Sequence, residues 1–138
     1  IANGTAQVTW TRTGEEMTEI MRAIVTGCEV MAIVNMPNKG QISNMQKDVV
    51  VETLACVSKD GARPKMSGEL PGAVGSLCRL HADIHEMTVK AALTGDRKLL
   101  VEAMSLDPSS GSACFAEIPK LCDELLKANK KWLPRFFE

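Results

Sequence analysis

The residues best suited to binding chemistry lie in a polar loop between two apolar segments. Residues 35–44 combine three asparagines with Pro37 and Gly40, which give the loop its shape by fixing φ or leaving it free. Asparagine amides donate and accept hydrogen bonds and suit a hydroxylated ligand, although asparagines in turns often bond only their own backbone. A simple hairpin needs two turn residues, so this longer loop predicts a binding role. The three candidate residues are Asn35, Asn38 and Asn44.

A second group of candidate residues lies on one side of a predicted long helix. Cys78, His81 and His85 fall close to one helical face, and Glu86 lies beside them. Two histidines one turn apart can chelate a soft or borderline metal. The alternative is that these residues pack on a buried face, since three ligands on one helix lack the orienting partners of a metal site. We favour packing and assign no metal here.

Arg12 and Glu15 stand at the start of the first predicted helix. One interpretation is a solvated first turn in which Glu15 complements the helix dipole. The other is that the Arg12 guanidinium binds a ligand carrying a carboxylate or a phosphate, which its forked geometry suits.

Four amphipathic helices are predicted to position these residues. Thr13 and Glu16 form a capping-box pattern, and Asp96 is a favourable N-cap residue. Glycine is typical of the left-handed residue that ends a helix. The predicted helices run from Met17 to Gly27, from Pro71 to Gly95, from Asp96 to Pro108, and from Phe115 to a point before Pro134.

Two strands are predicted at Cys28 to Asn35 and at Val49 to Val57, because β-branched residues are frequent there. Their nearly continuous apolar character predicts burial on both faces. Ser58 to Gly61 is typical of a tight turn, and Pro64 interrupts regular structure. Helix, two strands and further helices, in that order, predict an α+β domain with sheet and helices largely segregated.

Composition narrows the classes of partner. The chain has 138 residues, which suits one domain, and its 16 Lys and Arg nearly balance its 17 Asp and Glu. Without a basic run, no nucleic-acid partner is expected. Neither a membrane-spanning segment nor a signal peptide is predicted. Five cysteines without CxxC spacing indicate reduced thiols and a cytoplasmic location.

Four segments resemble the signatures of family-4 glycoside hydrolases, in the family's order. Residues 35–52 resemble Asn-x-Pro-Asn-x-Gly-x-Ile-x-Asn-Leu-Pro followed by Val-Val-Glu, with Met45-Gln46 in place of Leu-Pro. Residues 86–96 are similar to Glu-Leu-Thr-Val-Glu-Ala-Ala-Leu-Thr-Gly-Asp, and residues 103–108 to Ala-Leu-x-Leu-Asp-Pro. Residues 12–15 are similar to Arg-Ser-Gly-Glu. His85 departs from the family, which usually has glutamine at that position.

The resemblance implies a fold and a reaction. The fold would be that of the C-terminal half of lactate and malate dehydrogenases, a small antiparallel sheet packed with several helices. The enzymes use NAD and a divalent metal, usually manganese. They oxidise the sugar 3-hydroxyl, remove the C2 proton, eliminate the glycosidic oxygen, add water and return the hydride. Their substrates include glucosides, galactosides, galacturonides and 6-phosphates.

The family's nucleotide-binding loop, its metal-holding cysteine and histidine, and its tyrosine base are not found in this sequence. The resemblance therefore implies that residues 1–138 form a single C-terminal substrate and oligomerisation domain that lacks the N-terminal nucleotide-binding part. Expected partners are that part, a small sugar and further copies of the chain. The fragment alone is expected to be inactive and to bind no NAD. A stand-alone, non-enzymatic helical interaction domain is the alternative.

Within this resemblance, no residue of the chain is assigned a catalytic role. The candidates for the substrate cleft are Arg12, Glu15, Asn35, Asn38 and Asn44, with Pro37 and Gly40 shaping the loop.

Overall fold

The computed structural model describes residue 11 and residues 14–138. Its helices are α1 (Met17–Thr26), α2 (Gly72–Thr94), α3 (Arg97–Leu106) and α4 (Ile118–Ala128), and its strands are β1 (Val30–Pro37), β2 (Val50–Ser58) and β3 (Gly61–Pro64). Short 3₁₀ turns cover Pro108–Ser112, Phe115–Glu117 and Pro134–Phe136. The predicted α+β class, with a small antiparallel sheet and several helices, is confirmed.

The chain divides into two compact units. The first contains the described residues up to 36 together with residues 52–65, and the second contains residues 37–51 and 66–138. Helix α1 and most of the sheet therefore belong to the first unit, while the polar loop from residue 37 onward and helices α2 to α4 belong to the second.

The sheet has the strand order β1-β2-β3. Strands β2 and β3 form an antiparallel hairpin in which Ser58 pairs with Gly61, which confirms the predicted turn. Strand β3 was not predicted, because it is only four residues long and ends at Pro64. The predicted burial of both strand faces is wrong: β2 alternates between buried and exposed residues, and Ala32 is the one buried residue of β1.

Helix ends agree with the sequence prediction because they depend on local chemistry. Gly27 and Gly95 adopt left-handed φ angles of 78° and 74° at the ends of α1 and α2. The Asp96 carboxylate caps α3 by accepting a hydrogen bond of 3.0 Å from the Leu99 amide. At α1, Thr13 of the predicted capping box lies outside the described residues, and the Glu16 carboxylate accepts from the Ile33 amide at 3.3 Å.

The predicted buried faces of the helices are partly wrong. In α1 the buried residue is Ala23, and the predicted apolar stripe, including Met17, Met21 and Val25, is exposed. Helix α4 begins at Ile118, because Phe115–Glu117 form a 3₁₀ turn with Phe115 exposed. Helices α2, α3 and α4 bury both small and branched aliphatic side chains. The buried residues among them are Gly75, Ala82, Ile84, Ala91, Ala103, Ile118, Cys122 and Leu126.

The end of α2 is held by the C-terminal residues of the second unit. A Cβ atom added at Gly95 would lie 2.1 Å from the carbonyl oxygen of Arg135. The Arg135 guanidinium donates to the Leu93 carbonyl, one of the last acceptors of α2. Throughout the described part of the chain, no helix has both the length and the apolar content that crossing a membrane requires.

Candidate functional site

The polar loop is built around the Asn38 side chain, which is 1% exposed. Its Nδ2 group donates to the carbonyl oxygens of Ile42, Met45 and Gln46 at 2.9, 3.1 and 3.1 Å. Its Oδ1 atom accepts from the amides of Gly40 and Ile42 at 3.2 and 3.1 Å. The donors and the acceptor of this amide group are therefore occupied inside the loop, and Asn38 holds the shape of the loop.

Main-chain contacts close the same loop. The Asn38 amide donates to the Val49 carbonyl at 2.7 Å, and the Asp48 amide donates to the Asn38 carbonyl at 2.8 Å. Gly40 and Asp48 both adopt positive φ, at 111° and 67°. Asp48 also forms an exposed ion pair with Lys39, and this hydrogen bond lowers the pKa of the Asp48 carboxyl.

Gln41 is a buried loop residue that the pattern of turn residues does not predict as buried. Its Oε1 atom accepts from the Lys39 amide at 2.6 Å, and its Nε2 group donates to the Pro37 carbonyl at 3.0 Å. Pro37 thus provides an acceptor as well as a fixed φ angle. A glutamine among so many turn residues could have indicated a side chain that bonds the loop. The inward orientation of the Gln41 side chain, however, depends on the path of the loop, which the local sequence does not give.

Asn44 fastens the far end of the loop to the start of α2. Its Nδ2 group donates to the Leu70 carbonyl and its Oδ1 atom accepts from the Leu70 amide, both at 2.9 Å. Arg79 of α2 donates to the Asn44 carbonyl at 3.0 Å. Gly75 leaves room for this contact, since a Cβ atom there would lie 3.0 Å from the Arg79 guanidinium. Asn44 therefore positions the loop on the helix.

A groove of about 630 Å³ lies between residues 46–50 and one side of α2. The Gln46 Nε2 group donates to the Asp83 carboxylate at 2.9 Å across this groove. The Gln46 Oε1 atom is buried and has no hydrogen-bond partner among the described residues. The remaining lining combines apolar and charged side chains. It consists of Lys47, Asp48, Val49, Val50, Ala82, His85, Glu86, Val89, Lys90, Leu93 and Thr94.

The histidine face of α2 gathers no metal-binding cluster. The rings of His81 and His85 lie 6.3 Å apart between centroids. In the described ranges, no three His, Cys, Asp or Glu side chains come close enough to hold a metal ion, and Cys78 is a half-buried free thiol. His85 lines the groove instead.

Two of the other candidates lie in the first unit. Glu15 lines a shallow hollow of about 470 Å³ with two further carboxylates, Glu16 and Glu52, and with apolar side chains of α1. Asn35 is an exposed residue of β1. Arg12 lies outside the described residues. The structure therefore brings Asn38, Asn44, Pro37 and Gly40 together in the second unit.

The matched family identifies the class of domain. Residues 3–110 match the model of the family 4 glycosyl hydrolase C-terminal domain. The chain therefore belongs to family 4 of the glycosyl hydrolases and carries its C-terminal domain, which confirms the resemblance found in the sequence. The alternative of a stand-alone interaction domain is not favoured by this match.

Known relatives are longer enzymes. The chain is 35% identical over 137 residues to an α-galacturonidase of Lachnoclostridium phytofermentans. This alignment covers 98% of the chain and 29% of the relative. Other relatives, 32–37% identical, are named α-galacturonidase, α-galactosidase and α-glucosidase. The chain thus spans less than a third of the length of the curated relatives it matches.

Solved structures show the same fold. The lplD protein of Bacillus subtilis is 32% identical and superposes with a TM-score of 0.77, covering 83% of the chain and 26% of lplD. A Thermotoga maritima 6-phospho-β-glucosidase, crystallised with manganese, NAD+ and glucose-6-phosphate, is 23% identical with a TM-score of 0.78. That match covers 85% of the chain and 28% of the glucosidase.

Proposed function

We propose that this chain is the C-terminal part of a longer cytoplasmic glycoside hydrolase that works by NAD-dependent oxidation, elimination, addition and reduction. The observation that carries the proposal is the family match over residues 3–110, which contains all four signature segments. The relatives' greater length supports the view that further sequence completes the enzyme.

The cofactor and the metal are assigned to that further sequence. The described residues do not fit either group, since they contain no cluster of three metal ligands, and the sequence contains no Gly-x-Gly-x-x-Gly loop. The Thermotoga maritima relative, crystallised with NAD+ and manganese, supports these two groups for the longer protein. NAD would carry the redox chemistry while the protein supplies position and electrostatics.

The substrate class that we propose is an α-linked sugar acid of the galacturonide type. Several relatives, including one that matches 98% of the chain, are named α-galacturonidase. Arg12 supports the assignment chemically, because a guanidinium binds a carboxylate through two parallel hydrogen bonds. In this scheme Glu15 and Asn35 are further candidates for contact with the sugar.

The second unit contributes a loop whose shape is fixed by buried amide groups. Asn38 and Gln41 hold the loop from within, and Asn44 joins it to α2. Catalysis requires reacting groups to be held in a fixed geometry, and a loop held by buried amides meets that requirement better than a mobile one.

The test uses the longer protein, with the 138-residue chain as its control. Nitrophenyl α-galacturonide, α-galactoside and a 6-phosphoglucoside are assayed with NAD, manganese and a reductant. We expect hydrolysis of the galacturonide by the longer protein and none by the fragment. In D₂O the released sugar should carry deuterium at C2, whereas a two-carboxylate displacement leaves that hydrogen in place. Hydrolysis without deuterium at C2 would refute the proposed reaction.

A further inference from the structure

Helix α2 carries two imidazole groups one turn apart, on His81 and His85. We propose that these two histidines, together with the carboxylate of Asp107 at the end of α3, bind Zn²⁺. The site is separate from the metal that the proposed function assigns to the longer protein, and the inference does not depend on that function. The bound ion would join α2 to the end of α3 within the second unit.

The exposure of the two rings argues against a shared packing role. His81 is half-buried, whereas His85 is exposed. Packing therefore accounts for His81 alone. Exposed side chains change rotamer within nanoseconds, so His85 can reorient without displacing a packed neighbour. His81 is then the fixed ligand of the pair and His85 the mobile one.

The spacing of the two rings suits chelation of one ion. Residues four apart lie on the same side of a helix, and the two ring centroids are 6.3 Å apart. Zn²⁺ holds imidazole nitrogens at about 2.0–2.1 Å, so two nitrogens on one tetrahedral ion lie roughly 3.3 Å apart. Among the described residues no three ligand side chains already converge, so His85 has to rotate towards His81 for the ion to bind.

Asp107 supplies a carboxylate near this pair. Its Oδ1 atom accepts from the Ser109 amide at 2.8 Å and from the Ser109 hydroxyl at 2.7 Å, which fixes the carboxylate in place. These hydrogen bonds lower the pKa of the Asp107 carboxyl, and the charges of His81 and His85 lower it further. Asp107 therefore lies within electrostatic range of both rings. Because both Ser109 bonds use Oδ1, the Oδ2 atom is the one that would coordinate the ion.

Two imidazoles and one carboxylate also specify the class of ion. Imidazole nitrogen suits Zn²⁺, whereas Mg²⁺ and Ca²⁺ prefer oxygen ligands. An open zinc site typically has three protein ligands and one water molecule. An ion that binds only the folded arrangement stabilises that arrangement, so Zn²⁺ should raise the melting temperature of the chain.

Calorimetric titration of the reduced 138-residue chain with ZnCl₂ tests the inference. We expect His85→Gln to lose affinity by at least roughly tenfold, because removing one of two linked ligands removes the chelate. His81→Gln is an independent second variant with the same expected loss. Asp107→Asn, which can keep the bonds from Ser109, should show a smaller loss.

The matched control is Cys78→Ser, which changes a half-buried free thiol of the same helix. It should bind Zn²⁺ at the histidine pair as the parent chain does. Zn²⁺ bound by the other cysteines is common to the parent chain and the histidine variants, so it cancels when these are compared.

The melting temperature gives a second measurement. Saturating Zn²⁺ should raise it in the parent and Cys78→Ser chains and leave it nearly unchanged in His85→Gln, and Mg²⁺ should change none of them. Metal-free samples show whether each variant is folded. Equal Zn²⁺ affinity in the parent, His81→Gln and His85→Gln chains would overturn the inference. An equal rise in melting temperature for these three chains would overturn it as well.

Discussion

At the scale of single residues, the loop shows which part of a binding site a sequence can predict. The density of Asn, Pro and Gly in residues 35–44 indicates a shaped loop, and the structure contains one. The direction of each amide is not encoded locally. Asn38 turns inward because the chain returns at residues 45–49 and offers carbonyl groups to it. The side-chain amide of Asn38 therefore holds the loop in shape.

Replacing Asn38 with alanine tests this assignment. The change removes five hydrogen bonds to buried or half-buried backbone groups and should lower the free energy of unfolding by roughly 2–4 kcal/mol. Urea unfolding of the 138-residue chain measures the loss. Asn35→Ala, at an exposed strand position, is the matched control and should change stability by less than about 0.5 kcal/mol. Equal midpoints for the two variants would contradict the assignment.

Thr53 is a second residue whose burial has a measurable consequence. Its hydroxyl is buried in β2 and has no hydrogen-bond partner in the described part of the chain. Thr53→Val removes that polar group at nearly constant volume and should stabilise the chain by about 1 kcal/mol. Thermal unfolding provides the measurement. Thr88→Val is the control, because the Thr88 hydroxyl donates to the Ile84 carbonyl at 2.8 Å. Removing that hydrogen bond should bring no gain in stability.

At the scale of secondary-structure elements, the sequence predicts where helices end better than it predicts which face of a helix is buried. As helix ends, Gly27, Gly95 and Asp96 bond to neighbours within a few residues, so the local sequence is enough to predict where the helices stop or start. Which face of a helix is buried depends on what covers it. The apolar residues of α1 do line one side of the helix, but the larger of these side chains are exposed in the described chain.

Gly95, which ends α2, should be more sensitive to substitution than Gly72 at the start of the helix. Gly95→Ala places a Cβ atom 2.1 Å from the Arg135 carbonyl and also strains a φ of 74°, so the C-terminal residues must move away from α2. We expect a loss of at least about 2 kcal/mol, seen as a lower urea midpoint. Gly72→Ala has open space and an ordinary φ at the start of the same helix, and it should be neutral or slightly stabilising. Loss of stability in both variants would argue against the contact with Arg135.

The stabilising effect of the ion pair between Arg97 of α3 and Asp123 of α4 should depend on pH. Arg97 donates to the Asp123 carboxylate at 2.5 and 2.9 Å, and this hydrogen bond lowers the pKa of Asp123 below its usual 3.8. A carboxyl whose pKa is lowered by folding stabilises the fold above its unfolded pKa, and that contribution disappears as the pH falls through the folded pKa. Asp123→Asn should therefore lower stability more at pH 7 than at a pH well below 3.8. A deficit that is equal at both pH values would refute the linkage.

At the scale of the whole molecule, exposed apolar surface in the first unit predicts association between copies. Met17, Met21 and Val25 of α1 are exposed, as are Met31 and Ile33 of β1. We expect the 138-residue chain to dimerise at micromolar concentration, which sedimentation velocity measures. Val25→Lys should weaken the dimer, while Val74→Lys in the second unit serves as the control. A monomer that binds no dye for exposed apolar surface would contradict this expectation.

The polar loop also affects where a protease can cut this chain and where a tag can be inserted. A protease needs several residues in an extended, accessible form, and open loops are its usual targets. Residues 38–49 look like such a target, with Lys39 and Lys47 available to trypsin, but both ends of this segment are joined by main-chain hydrogen bonds. Trypsin should therefore spare these two lysines in the folded chain. A tag or fluorophore is better inserted at Gly111, where the backbone is exposed and a Cβ atom would meet nothing within 4 Å.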